Sequence, residues 1–288
     1  MSNIFNQIKY KYSTNFIDID GYKVAYVDEG NSEDVILFIH GLGSYLKAWD
    51  RNITELKKYF RCIALDLPGY GKSSKIIHSG KVDFYTTILH KFIKKLNLKN
   101  VSLCGHSMGG HIASSYVINH PGLVKKLILV APAGFETFTD NDIEGLNKIT
   151  SPDIIFNTSD KQVRINFELN FYIMPSETEE MILDRIAIKT DPEFYNHCIV
   201  VSNSLLGLLK QPVFDQLAEI QTSTLILFGI EDLLIPNRSI HSTTTKEIAL
   251  LGAKKIKNSK LVILEKCGHF IQFEKPDLFN QEVVSFLQ

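Results

Sequence analysis

Val101-Ser102-Leu103-Cys104-Gly105-His106-Ser107-Met108-Gly109-Gly110 is the stretch whose reading decides the fold. Val101–Cys104 reads as a short strand covered on both faces, and a helix follows at once, through about Asn119. Between them lies Gly-x-Ser-x-Gly. A serine on so sharp a strand-to-helix turn sits in strained backbone, where only small neighbours fit. The turn lifts the Ser107 hydroxyl above the sheet at a helix N-terminus, where free N–H groups favour developing negative charge. Ser107 is therefore a candidate nucleophile.

Working outward, short apolar runs alternate with amphipathic stretches. Ile17–Ile19 and Tyr22–Val27 read as early strands, Val35–Ile39 and Cys62–Leu65 as buried ones, and Leu127–Ala131 as another. Helical spacing occupies Trp49–Phe60 and Phe84–Leu96. Such strand–helix–strand repetition predicts an α/β fold, a mostly parallel central sheet flanked by helices. The rhythm breaks at Phe135, and only helical periods appear up to Leu217. Within that stretch Ser176-Glu177-Thr178-Glu179 fits a capping box, and Asp191-Pro192 fits an N-cap followed by proline. Strands resume at Leu225–Phe228 and Leu261–Leu264, and a helix follows Pro276. The expected organisation is a core of residues 1–134 and 218–288 with a helical cap, residues 135–217, inserted once.

Serine needs a base, and the base an orienting carboxylate. This turn type expects the order Ser, Asp or Glu, His. Asp232 follows the Leu225–Phe228 run and His269 follows Leu261–Leu264, so both fall at carboxyl ends of parallel strands, on the edge where Ser107 emerges. Glu231 is the neighbouring alternative acid, and Glu136 a weaker one. His40, ahead of Gly41, and His106, beside Ser107, read as residues that shape the site.

Composition narrows the classes. Over 288 residues, 31 Lys and Arg against 32 Asp and Glu leave a net charge of −1, so no basic excess serves nucleic acid. Gly71-Lys72-Ser73 ends like a phosphate-binding loop, but the required glycine is Asp66. Cys62, Cys104, Cys198 and Cys267 are scattered and read as buried thiols of a reducing compartment. His78, His90, His197 and His241 show no metal-ligand spacing, and no cofactor or metal is expected. Met1–Phe16 lacks an apolar leader, and no apolar run nears the ~20 residues that span a bilayer. The expectation is a cytoplasmic protein with no integral membrane segment; oligomeric state is left open.

Together, His40-Gly41-Leu42-Gly43, Asp66-Leu67-Pro68-Gly69-Tyr70-Gly71-Lys72-Ser73, Gly105-His106-Ser107-Met108-Gly109-Gly110, Asp232 and Gly268-His269 resemble the α/β-hydrolase fold family over essentially the whole core. The resemblance implies Ser107 as nucleophile, His269 as base and then acid, and Asp232 as orienting carboxylate. It also implies an oxyanion hole from the backbone N–H groups of Leu42 and Met108. Two serine subgroups are near: carboxylesterases and small lipases, and C–C hydrolases of aromatic ring-fission products. The second shares Ser-Met-Gly-Gly and Cys-Gly-His, but usually carries asparagine before the nucleophile, Pro-Gly in the oxyanion loop and tryptophan after the histidine. Here those positions hold His106, Ser44-Tyr45 and Phe270. The expectation is therefore a serine carboxylic ester hydrolase acting on small hydrophobic esters through an acyl-enzyme. C–C hydrolysis is the alternative, and a non-catalytic small-molecule receptor or scaffold is the reading from another class. The pocket is expected to be apolar with no strong anion clamp; Arg164 and Arg185, in the insert, are the two exceptions, and helix-surface charge is their preferred reading.

Overall fold

The computed structural model describes residues 3–288. Met1 and Ser2, the first residues of the stretch Met1–Phe16 considered above, lie outside the described residues. Eight strands form one sheet: β1 (Asn15–Ile19), β2 (Tyr22–Glu29), β3 (Val35–Ile39), β4 (Arg61–Leu65), β5 (Val101–His106), β6 (Leu127–Val130), β7 (Thr224–Gly229) and β8 (Ser259–Leu264). Their order is β1-β2-β4-β3-β5-β6-β7-β8. β1, β2 and β4 pair antiparallel, and every pairing from β4 to β8 is parallel. Every residue of β3, β5, β6 and β7 is buried, which is why these strands read as unbroken apolar runs instead of alternating ones.

The helices are α1 (Ile4–Gln7), α2 (Asp50–Leu56), α3 (Val82–Lys95), α4 (Met108–Asn119), α5 (Asp140–Ile149), α6 (Pro152–Phe156), α7 (Asp160–Glu168), α8 (Thr178–Ala187), α9 (Phe194–Lys210), α10 (Thr245–Lys255), α11 (Ile271–Glu274) and α12 (Pro276–Leu287). α2 packs against α12, and α3 against α4. Trp49, fully buried in a 3₁₀ turn ahead of α2, meets Phe38 of β3 and Phe279 of α12 at centroid distances of 4.9 and 6.2 Å. The helix expected over Trp49–Phe60 is therefore shorter and begins after that anchor.

One topological feature positions the site. From β3 the chain moves outward to β4 on one side, and from β5 it moves to β6 on the other. The crevice between the carboxyl ends of β3 and β5 is where a doubly wound sheet leaves room for a ligand. The oxyanion loop follows β3, and Ser107 follows β5.

Between β6 and β7 the described chain is helical, α5–α9, with no strand. Two of its expected caps differ. Glu179 is held by a bidentate pair with Arg164 at 2.6 and 2.7 Å, so it does not close a capping box with Ser176, and α8 starts after Glu177 without a side-chain cap. Asp191 accepts the N–H groups of Ile4 and Phe5 in α1 as well as that of Glu193, and α9 begins only at Phe194. The N-terminal segment is thereby fastened to the helical insert, and Phe5 packs on His197 of α9 at 5.7 Å. No helix is long and apolar enough to cross a membrane among the described residues.

Candidate active site

Ser107 adopts φ +52° and ψ −116°, a conformation a side-chain-bearing residue reaches only under constraint. The constraint is visible. Its N–H donates to Val130 O at 2.9 Å, and its carbonyl accepts from Gly110, His111 and Ala133. A Cβ on Gly109 would lie 2.1 Å from Ile39 O, so only glycine lets the helix start so close to β3. The Ser107 hydroxyl has no hydrogen-bond partner among the described residues and faces a cavity of about 770 Å³ that His269 also lines. Contacts of this kind commonly tighten only when substrate is bound.

His269 Nδ1 lies 2.7 Å from Asp232 Oδ2, both side chains being almost wholly buried. Asp232 Oδ1 accepts the N–H groups of Leu234 and Ile235 at 2.8 and 3.0 Å, which leaves Oδ2 aimed at the imidazole. Glu231, the alternative acid, instead accepts the Cys267 N–H at 2.9 Å and so braces the histidine loop. A Cβ on Gly229 would lie 2.2 Å from the carbonyls of Cys267 and Gly268, so the end of β7 and the His269 loop are in direct backbone contact.

Leu42 lines the cavity, and Met108 begins α4 immediately after Ser107; neither N–H has a protein partner among the described residues. His40 fixes the loop that carries Leu42. Its Nε2 accepts the Leu67 N–H at 3.1 Å, which makes Nδ1 the donor to Gly41 O at 2.8 Å. Burial pulls its pKa down to about 4, so the ring is neutral. Gly41 packs on His106 and Ser107. His106 bonds His269 O through Nε2 at 3.0 Å, and its ring lies 4.7 Å from both His269 and Phe270. Phe270 packs on Phe171 and lines the cavity.

Residues of α5–α9 form much of the remaining wall, which is mostly apolar: Leu146, Ile149, Phe167, Leu169, Met181 and Leu208 are examples. Arg164 lies on the surface, as read. Arg185 does not. It lines the cavity, donating to Gly43 O and, at 2.9 Å, to His197 Nε2. His197 in turn donates from Nδ1 to Gly69 O at 2.8 Å, so it is a neutral acceptor that offers no counter-charge. Asp184, the adjacent carboxylate, is taken by Lys47 at 2.7 Å and Tyr45 at 2.6 Å. Burial pulls the Arg185 guanidinium's pKa below its usual range, as expected of a cation that makes no ion pair with a carboxylate. An arginine four residues from Met181, on the same helix face, was the available signal; α8's charge-rich sequence hid it.

At the other end of the cavity stands Glu136, after β6. Its Oε2 accepts the Asn237 N–H at 2.9 Å and lies 3.5 Å from His241 Nε2. Burial pushes its pKa up to about 7. The four cysteines are free and buried, and no cluster of three or more metal-ligating side chains occurs among the described residues.

A family model described as the alpha/beta hydrolase fold matches residues 34–177. The chain belongs to that family. It is 31% identical over 277 residues, 92% of this chain and 91% of the relative, to a 2-hydroxy-6-oxononadienedioate/2-hydroxy-6-oxononatrienedioate hydrolase of Escherichia coli O81 (strain ED1a). A Pseudomonas putida hydrolase of the same description is 30% identical over 282 residues, 94% of this chain and 93% of that one. Among solved structures, a probable hydrolytic enzyme of Pseudomonas aeruginosa PAO1 superposes with TM-score 0.85 at 24% identity, covering 98% of this chain and 96% of that one. A meta-cleavage product hydrolase of Pseudomonas fluorescens IP01 gives 0.77 at 23%, covering 94% and 96%. These two establish the fold alone.

The chain is thus an α/β-fold hydrolase, which removes the receptor alternative, but the expected carboxylic ester hydrolase with a small hydrophobic ester substrate is overturned. Relatives matching nearly end to end carry the names of 2-hydroxy-6-oxo dioic acid hydrolases. The three departures that favoured esters mislead for a physical reason. His106 packs on His269 and Phe270 on His106, and Ser44 and Tyr45 line the cavity wall, so these positions touch the shape of the site and leave the nucleophile itself unchanged.

Proposed function

We propose that this hydrolase cleaves a carbon–carbon bond in 2-hydroxy-6-oxo-dienoates. Ser107 is the nucleophile, His269 the base and then acid, Asp232 the orienting carboxylate, and the N–H groups of Leu42 and Met108 the oxyanion hole. His40, Gly41, His106 and Phe270 shape the site, residues 135–217 roof it, and residues 1–134 and 218–288 carry the sheet.

One observation supports this reading above others: the Arg185 guanidinium in the wall of a mostly apolar cavity, paired with no carboxylate because Asp184 is held by Lys47 and Tyr45. An uncompensated buried cation costs several kcal/mol, which a neutral ester would leave unrelieved and a substrate carboxylate would offset. A 2-hydroxy-6-oxo-dienoate supplies that carboxylate at C1. With C1 held by Arg185, the chain runs toward Ser107 and presents the C6 ketone there. After the dienol ketonises, C5 is a methylene between C6 and a C3=C4 bond conjugated to the C2 ketone. Ser107 Oγ adds to C6 while its proton passes to His269 Nε2, and the oxyanion is held by the two N–H groups. The C5–C6 bond then breaks, its electron pair delocalising as a dienolate that takes the proton from His269. Water, deprotonated by His269, releases the acyl group as a carboxylic acid.

The test is turnover of a 6-phenyl 2-hydroxy-6-oxo-dienoate, followed by loss of its visible absorbance, beside p-nitrophenyl acetate and butyrate. We expect kcat/KM for the dienoate to exceed that for the esters, and Arg185→Gln to lower it on the order of a hundredfold while changing ester hydrolysis far less. Ester turnover without dienoate cleavage would sink the reading.

A further inference from the structure

The cavity has two chemically different ends, and the strand order separates them. Arg185 is held by Gly43 in the loop after β3, whereas Glu136 follows β6 and is held by Asn237 in the segment after β7. β5, with Ser107 at its tip, runs between. A substrate whose C1 carboxylate meets Arg185 and whose C6 carbonyl meets Ser107 must send its C6 substituent toward Glu136. Here this hydrolase carries a carboxyl group of its own. The Glu136 side chain is only 8% exposed and lines the cavity with Phe138, Leu234 and Asn237.

We infer, building on the C–C hydrolase reading, that Glu136 sets substrate specificity by excluding a second carboxylate, so that this chain takes 2-hydroxy-6-oxo-dienoates whose C6 substituent is uncharged. This separates it from its relatives, whose names specify dioic acids. Among the described residues the only lysine and arginine that line the cavity, Lys189 and Arg185, both belong to the insert, so neither comes from the segments after β6 and β7 that carry Glu136 and Asn237. His241 Nε2 lies 3.5 Å from Glu136 Oε2 without forming a hydrogen bond, a contact that offsets the charge only where the imidazole carries a proton, which is why the comparison is made on the alkaline side of neutrality. Like charges in so confined a space repel strongly. Phe138 and Leu234 at the same end suit an alkyl or aryl group instead.

The experiment compares kcat/KM for two dienoates that differ only at C6, one ending in a phenyl or propyl group and one in a carboxyethyl group, on the alkaline side of neutrality. Wild type is expected to favour the uncharged substrate by on the order of tenfold to a hundredfold. Glu136→Gln, which can still accept the Asn237 N–H, should shrink that ratio, as should Glu136→Ala. A ratio measured in one preparation does not depend on how much of the variant has folded. Equal turnover of both substrates by wild type, or a ratio untouched by either variant, overturns the specificity inference while leaving C–C cleavage intact. If wild type cleaves neither dienoate and Ser107→Ala binds neither, the underlying reading fails and this one with it.

Discussion

Asp232 and Glu231 are adjacent in sequence but do different work, because the backbone turn sends one carboxylate to His269 Nδ1 and the other to the Cys267 N–H. Asp232→Asn is therefore expected to cut kcat by about 10⁴, since an amide that donates cannot hold the imidazole in the required tautomer. Glu231→Gln keeps an acceptor for Cys267 and should leave most of the activity. Steady-state kinetics on the dienoate, with Ser107→Ala as the baseline, distinguish the two; a larger loss in Glu231→Gln would reverse the assignment. Ser107, Asp232 and His269 stand out as candidates in the sequence because each follows a recognisable strand in the expected order. Arg185 does not, because a lone arginine on an amphipathic helix is ordinarily solvated, and only the packing of α8 against the oxyanion loop turns it inward.

At the scale of elements, the contact between β7 and the loop after β8 controls where His269 sits. Gly229→Ala would put a methyl group 2.2 Å from two carbonyl oxygens, so the histidine loop must move. We expect a destabilisation of about 1–3 kcal/mol together with a fall in kcat, read by thermal denaturation and by turnover of the same protein. A drop in stability with kcat intact would mean that the loop relaxes away from the triad. The parallel strands can be read from sequence to within a residue or two, because burial on both faces enforces continuous apolar runs in β3, β5, β6 and β7, while β8 keeps the run Leu261–Leu264 although only partly buried. Helix ends in the insert cannot. Glu179 and Asp191 carry the side chains that local capping requires, but tertiary partners, Arg164 and the α1 amides, recruit them. α10, absent from the expected elements, carries a local signal of its own, the reciprocal capping box of Thr244 and Glu247.

For the whole molecule, burial of neutral histidines links stability to pH. His40, His78 and His111 sit in different parts of the sheet–helix framework, and burial pulls each to about 4 from an ordinary value of 6.5. Below about pH 6.5 the unfolded chain takes up protons that the folded one refuses, so stability declines as pH falls from there to about 4 and levels off below, as far as these groups are concerned. Denaturant titrations across that range should show a falling unfolding free energy; a flat profile would mean that these rings are solvated in the native state.

The fastening of the first helix carries a practical consequence. Phe5 and Ile8 line the same cavity as Ser107, and Asn3 and the amides of Ile4 and Phe5 are tied to Glu193 and Asp191. An affinity tag fused ahead of Asn3 is thus no silent handle: it is attached a few residues from the cavity wall and bears on the element that helps form it. Gln288, exposed just beyond α12, offers a point of attachment that touches neither.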